Sequence, residues 1–266
     1  ERLSTNLAFA LWRLFAIFAS MIVGIILKPL PMGVIALIGL ASSVCFGILT
    51  LDQAFSGFSN DIVWLIVLAF FISRAFISSG LGDRMAYQIM SLIGKNSLGL
   101  GYGLVATDLV IAPLIPSMTA RGGGVIYPLL KSVADIFTGP SHDPRMGAFL
   151  TIAAFQGTAI TGAMFLTSMA GNPLIAEFAR VQGIHVSWLS WALAASVPGL
   201  ISLLVMPYIA YKFVSPTIRH TPRAKEMALS KLEKMGPMKF QEWVMLFTFL
   251  LLIVLWIGGV FWGIKP

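Results

Sequence analysis

The 266 residues are 58% apolar and only 11% charged, with a formal net charge of +7. Soluble domains carry about 25% charged residues, so a soluble chain of this length would leave far too much apolar surface in water, and a multi-spanning membrane protein is the class that remains. The basic residues stand between apolar segments without aromatic interleaving, which excludes a nucleic-acid surface and fits positive loops facing the cytoplasm.

Eight apolar segments are predicted, at 7–27, 31–51, 62–79, 98–115, 122–136, 146–170, 188–211 and 243–264. A crossing helix needs about 20 apolar residues, and most of the eight reach or approach that. The first is too long for a signal core and lacks an initiator Met and a basic leader, so it is read as a membrane helix. The sequence opens on Glu1 and closes on Pro266, just after an apolar run, and is expected to be cut from a longer chain. Cys45, the single cysteine, is read as a small packing residue in the second run. His142, His185 and His220 fall in three separate connections, a spacing that offers no metal site. No cofactor is expected.

Orientation follows from the basic residues. The 212–239 connection holds Lys212, Arg219, Arg223, Lys225, Lys231, Lys234 and Lys239 against Glu226 and Glu233, and is placed in the cytoplasm. The connections at 80–97 and 139–145 and the Lys28 turn fall on the same side, and 52–61, which has no Lys or Arg, faces outward. Arg13 and Arg74 lie near segment ends and are expected to snorkel to the interface.

The segment at 98–115 carries Asp108 and Pro113 and runs into Pro116-Ser117-Met118-Thr119-Ala120-Arg121-Gly122-Gly123-Gly124. Irregular backbone survives at lipid depth only when protein encloses it or a wet cavity needs it. The next segment, 122–136, is too short to cross alone and carries Lys131 and Asp135 at i, i+4. Together they read as a re-entrant hairpin with Ser117 at its tip. Two ordinary crossings joined by a tight turn are the alternative, and the charge pattern disfavours only a single span. Asp108 is expected to pair with a backbone group or with Lys131. The segment at 146–170 leads into Thr167-Ser168-Met169-Ala170-Gly171-Asn172-Pro173, read either as a plain helix end or as the interruption of a broken helix.

The tip is a candidate binding site for a polar solute, the alternative being that the glycines are a simple linker or hinge and the hydroxyls bond preceding carbonyls. Ser117 and Thr119 offer hydroxyl donors, the three glycines are expected to expose N–H groups where the second arm starts, and that helix start is the positive end of a dipole. Arg121 is the fixed cation beside the tip. It is read as supplying charge complementarity, by contact or as a brace, or else as forming a structural ion pair with Asp108 or Asp135.

The ordered set of motifs resembles the divalent anion/sodium symporter (DASS) family, especially its citrate/succinate antiporter and 2-oxoglutarate/malate translocator branch. The set runs through Lys28-Pro29-Leu30-Pro31, Phe58-Ser59-Asn60 with Val63-Trp64-Leu65, and Ser79-Gly80-Leu81-Gly82-Asp83-Arg84. It continues through Ala112-Pro113-Leu114-Ile115-Pro116-Ser117, Gly123-Gly124-Val125-Ile126-Tyr127-Pro128, Ile184-His185-Val186-Ser187-Trp188-Leu189 and Glu242-Trp243. The resemblance implies an all-α integral membrane fold with a re-entrant hairpin and a broken helix. It further implies that this is one of two inverted repeats of an elevator-type transporter, with the second hairpin outside the sequence. In domain terms, 1–97 would be scaffold-type helices, 98–137 the hairpin, 138–187 the broken helix, 188–242 a span with its basic loop, and 243–266 the first span of the second repeat.

By this resemblance Ser117, Thr119, Asn172 and Thr167 bind substrate, with Arg121 added from the reading of the tip, and Ser117 and Ser168 are candidates for a sodium site. The family's Ser-Asn-Thr tip is Ser117-Met118-Thr119 here, and a thioether lacks the amide oxygen that a hard cation prefers. Near the break, Gly171 stands where the family often has Pro and Pro173 follows Asn172. The expected function is secondary transport of di- or tricarboxylates by anion exchange, in a bacterial inner membrane, with lipid around the chain and a homodimer at full length. Sodium-coupled symport is a variant of that reading. A membrane-embedded enzyme would need a base near Ser117, and a channel would need polar rings. The sequence offers neither.

Overall fold

A computed structural model describes residues 2–137 and 143–262, without the side chains of residues 2–8, 10, 137, 260 and 261. His142 and part of the 139–145 connection lie outside the described residues. The chain forms two compact units, Glu1–Trp64 and Leu65–Pro266.

In the first unit, α1 (Arg2–Leu27) and α2 (Met32–Cys45) pack together. A Cβ on Gly24 would meet Ile35 at 3.1 Å, and one on Gly39 would fall 2.0 Å from the Met21 sulfur. Contacts 24–35 and 21–39 run in opposite directions along the chain, so the two helices are antiparallel. The predicted 31–51 segment is not one helix. After Cys45 the carbonyl of Ser43 accepts from both Ile48 and Leu49, Gly47 takes a φ of 65°, and a new short helix, α3 (Leu51–Phe55), starts on a Thr50–Gln53 capping box. With 14 residues, α2 rises about 21 Å, short of the ~30 Å hydrocarbon core. Asn60 then caps α4 (Asp61–Ser79), accepting from Ile62 at 2.8 Å, while Trp64 Nε1 donates to the Phe58 carbonyl at 2.6 Å. Those are residues of the Phe58-Ser59-Asn60 and Val63-Trp64 motifs.

The second unit is built from the rest of α4 together with α5 (Leu81–Ile93), α6 (Ser97–Ile111, extended by a 3-10 turn to Leu114), α7 (Met118–Arg121), α8 (Tyr127–Ala134) and α9 (Pro144–Met164), then α10 (Gly171–Val181), α11 (Trp188–Val214), α12 (Pro222–Met235) and α13 (Phe240–Trp262). Among the described residues five helices are long and apolar enough to cross a bilayer: Asp61–Ser79, Ser97–Leu114, Pro144–Met164, Trp188–Val214 and Phe240–Gly259. An isolated antiparallel bridge joins Asn96 and His220. The chain is a multi-span helical membrane protein.

The helices differ in where their apolar surface goes. In Ser97–Leu114, 67% of the residues are enclosed by protein, against 6% in an apolar 18-residue stretch of Trp188–Val214. α6 is therefore the centre of the unit, and α11, with Leu193, Val197 and Leu204 exposed, is a lipid-facing wall. α6 and α9 approach closely through glycine. A Cβ on Gly101 would fall 2.5 Å from the Phe149 ring, and one on Gly157 would fall 2.8 Å from Val105, the small-residue packing of membrane helices.

Two stretches read as polar connections fold as amphipathic helices. α5 buries Leu81, Ala86 and Met90, α12 buries Ala224 and Ala228, and the two pack on each other. Around them the predicted same-side connections are stitched together. Ser97 N donates to the Arg219 carbonyl at 3.1 Å, Thr221 N to the Lys95 carbonyl at 3.0 Å, and Asp143 Oδ2 accepts from Thr217 N at 2.6 Å. The start of α6, the start of α9 and the loop after α11 thus share one end of the unit. The chain leaving at Ser97 has returned to the same side by Asp143, as both the hairpin and the two-crossing readings require and a single span does not.

Candidate functional site

Two non-helical corners of the second unit meet. One, at 115–117, joins α6 to α7. The other, at 165–170, separates α9 from α10. The first corner frees the carbonyls that end α6, and the second supplies donors for them. Thr167 Oγ1 donates to the Pro113 carbonyl at 2.7 Å, and Ala170 N to the Pro116 carbonyl at 3.0 Å. The Ile115 carbonyl takes Arg121 Nη1 at 3.0 Å. Each corner satisfies backbone groups that neither could satisfy alone in an apolar setting.

Arg121 lies between them, fully buried. Its Nε donates to Asp108 Oδ1 at 2.7 Å, its Nη1 to the Ile115 and Ser168 carbonyls, and its Nη2 to the Thr158 carbonyl at 3.3 Å and Thr161 Oγ1 at 3.1 Å. A guanidinium has five N–H donors, and five protein acceptors take them. Thr161 Oγ1 in turn donates to Asp108 Oδ2. The partner of Asp108 is therefore Arg121, not Lys131. Of the readings of Arg121, direct contact with an anion has no donor left to make it, whereas the ion pair and the brace are both present.

The other site residues divide in the same way. Thr167 also accepts from Trp188 Nε1 at 3.1 Å, Ser168 Oγ donates to the Gly162 carbonyl at 2.7 Å, and Asn172 Nδ2 donates to the Gly162 and Phe165 carbonyls, each at 2.8 Å. All three are buried. Trp188 stacks on Phe165 at 5.8 Å and on Trp256 at 5.6 Å, closing the far side of the break. Ser117, half-buried, caps α7 by accepting from Ala120 N at 3.1 Å, and its own hydroxyl proton remains available. Thr119 is exposed, and its hydroxyl makes no hydrogen bond among the described residues. Met118 packs over Gly162, where a Cβ would fall 2.5 Å from its sulfur.

Two local expectations are corrected. The three glycines are not an open break at the start of an arm. The second arm starts at Met118, and Gly122–Ile126 form a π turn inside it, with Gly122 N bonded to the Met118 and Thr119 carbonyls and Tyr127 N to that of Gly122. Their N–H groups are engaged within the helix, and the helix start belongs to Ser117. Nor does Asn172-Pro173 make the interruption. α9 stops at Met164, and both residues sit in the first turn of α10, where a proline's missing N–H costs nothing. Sequence reasoning passed over Thr158, Thr161 and Gly162. Their signal was legible as Gly157-Thr158-Ala159-Ile160-Thr161-Gly162, a small and hydroxylic run inside an apolar segment.

Comparison with known proteins agrees with this architecture. The family described as "Sodium:sulfate symporter transmembrane region" matches residues 3–265. A Bacillus subtilis protein named "Putative malate transporter YflS" is 50% identical over 252 residues, which is 93% of this chain and 53% of that protein. "Dicarboxylate transporter 1, chloroplastic" of Arabidopsis thaliana is 47% identical over 259 residues, 95% of this chain and 46% of its own. The "Citrate/succinate antiporter" of Escherichia coli is 34% identical over 270 residues, 93% and 55% respectively. The chain spans about half the length of the curated relatives it matches.

Proposed function

The chain belongs to the sodium:sulfate symporter transmembrane-region family, and from that membership we propose that it is one repeat of a secondary carrier for di- or tricarboxylates of the succinate, malate, 2-oxoglutarate and citrate type. The second repeat is inverted and completes the solute site. The carrier sits in a bacterial inner membrane as a homodimer and works by exchange with elevator-type alternating access. The 98–137 segment is the re-entrant hairpin, and 144–181 is the broken helix.

The observation that carries this reading is the state of the hydroxyls at the meeting corners. Ser117 and Thr119 retain donor capacity at the end of a helix otherwise enclosed by protein, while Thr167, Ser168, Asn172 and Arg121 are committed to holding the frame. A carboxylate reaching this corner meets two hydroxyl donors beside the positive end of the second arm. Thr167 and Asn172 then contribute by shaping the break, and contact with the anion falls to Ser117 and Thr119. Met118, seated on Gly162, puts a sulfur where the resembled signature has an amide, so sodium is not the driving ion and internal anion is.

The test is uptake of labelled succinate, malate, 2-oxoglutarate and citrate into vesicles holding the full-length protein, with and without sodium and internal counter-anion. Uptake that needs internal carboxylate and ignores sodium is expected, with Ser117→Ala raising half-saturation on the order of tenfold, equivalent to about 1.4 kcal/mol. Failure of all four anions to enter, or a wild-type half-saturation in Ser117→Ala, would overturn the assignment. A steep sodium requirement would overturn the exchange mechanism alone.

A further inference from the structure

We propose that Asp108, Thr161 and Arg121 form a lock that fixes the hairpin corner to the helix break, which makes Arg121 a positioning residue for the solute site. This rests on the reading that Ser117 and Thr119 meet the carboxylate.

A buried guanidinium with a missing partner is costly, because its charge and each N–H lose water without replacement. Here nothing is missing, and the five acceptors come from four places in the chain. Asp108 lies on α6, the Ile115 and Ser168 carbonyls lie in the two corners, and the Thr158 carbonyl and Thr161 hydroxyl lie on α9. One planar group therefore joins the end of α6, both corners and the last turns of α9. An anion could reach it only by displacing Asp108, the Thr161 hydroxyl or a backbone carbonyl from a site with no exposed surface.

Thr161 closes the circuit. Its hydroxyl accepts from Arg121 and donates to Asp108, so both charged groups keep their orientation through it. The backbone carries the constraint to the tip, because Arg121 N bonds the Ser117 carbonyl at 2.9 Å within the same turn that Ser117 caps. With the side chain of Arg121 held, that turn is fixed, and so is the spacing of the Ser117 and Thr119 hydroxyls. A lysine keeps the charge but presents three donors from one point and cannot reach acceptors on both helices and in both corners.

The experiment uses the full-length protein in vesicles, at matched amounts of folded carrier and with the best-transported of the four anions. Thr161→Val is the informative variant, since it keeps the shape of the side chain and the charge of Arg121 and removes only the hydroxyl that links Arg121 to Asp108. Thr161→Val and Arg121→Lys are each expected to raise half-saturation tenfold to on the order of a hundredfold, the cost of misplacing binding groups by about 1 Å. The double variant should be no worse than the poorer single, because both break one lock. Thr161→Ser, which restores the hydroxyl, should recover most of the loss. Thr119→Cys in a full-length background with every native cysteine, Cys45 included, replaced by Ser gives an independent reading: anion protection from an impermeant thiol reagent should need at least tenfold more anion when Thr161→Val is added. Wild-type kinetics in Thr161→Val, or multiplied losses in the double variant, would overturn the lock. If Ser117→Ala is also silent, the carboxylate assignment fails instead.

Discussion

Asp143 accepts backbone N–H groups from Arg145 at 3.1 Å, Thr217 at 2.6 Å and Ile218 at 3.2 Å, and so caps α9 while tying down the loop that follows α11. Burial pushes its carboxyl up, but donation from Ile218, Thr217 and Arg145 outweighs that and holds it below the ordinary 3.8. A carboxyl depressed in the folded state contributes stability that is present above the ordinary value and is lost as pH falls through the lower, folded one. Asp143→Ala is therefore expected to cost about 1–2 kcal/mol at pH 7, with the gap to wild type narrowing below about pH 4. Unfolding in detergent across that range measures it, and a gap that does not change with pH would dismiss the charge as the cause. At this same scale Arg121 was legible in the sequence as a cation beside the tip with Asp108 among its candidate partners, but the occupation of all its donors was not. Its acceptors stand 6 to 47 residues away in sequence, and backbone carbonyls carry no residue code.

The elements were mostly legible where apolar length decides and mostly not where tertiary contacts do. The long segments at 62–79, 98–115, 188–211 and 243–264 have counterparts in α4, α6, α11 and α13. The helix break was misplaced by several residues because the sequence draws attention to Asn172-Pro173. What stops α9 instead is Phe165, in extended backbone and stacked on Trp188, with its carbonyl accepting from Ser168 N and Asn172 Nδ2. The glycines likewise have opposite meanings that one sequence cannot separate. Gly101 and Gly157 let α6 and α9 touch, whereas Gly123 has nothing within 4 Å of where a Cβ would be. Gly101→Ala and Gly157→Ala are expected to lose about 1–3 kcal/mol to overpacking. Gly123→Ala should gain as much as ~1 kcal/mol from helix propensity. Thermal unfolding of the three variants tests the α6–α9 contact directly, and equal behaviour among them would mean that the helices are not held at glycine distance.

Across the second unit, one ion pair joins residues 158 positions apart: Arg84 on α5 and Glu242 at the start of α13, at 2.7 and 3.1 Å. Both side chains are almost completely buried. Arg84 also donates to the Gly236 and Pro237 carbonyls, and Glu242 accepts from Lys239 N, so the pair gathers the turn between α12 and α13 onto α5. Both residues stood in the motifs that carried the family resemblance, yet no spacing rule links them across the molecule. A buried pair is weak evidence of net stability, because desolvation offsets most of the attraction, but breaking one partner leaves a charge stranded. Glu242→Ala is therefore expected to cost about 3–5 kcal/mol, and Arg84→Met combined with Glu242→Leu should cost clearly less than that single change. The measurement is the unfolding midpoint, in the same detergent, of wild type, Glu242→Ala, the double variant and its two component single variants. If the double variant is as unstable as the sum of Arg84→Met and Glu242→Leu measured singly, the two groups act independently, and α13 is held to α5 by apolar packing instead of by this pair.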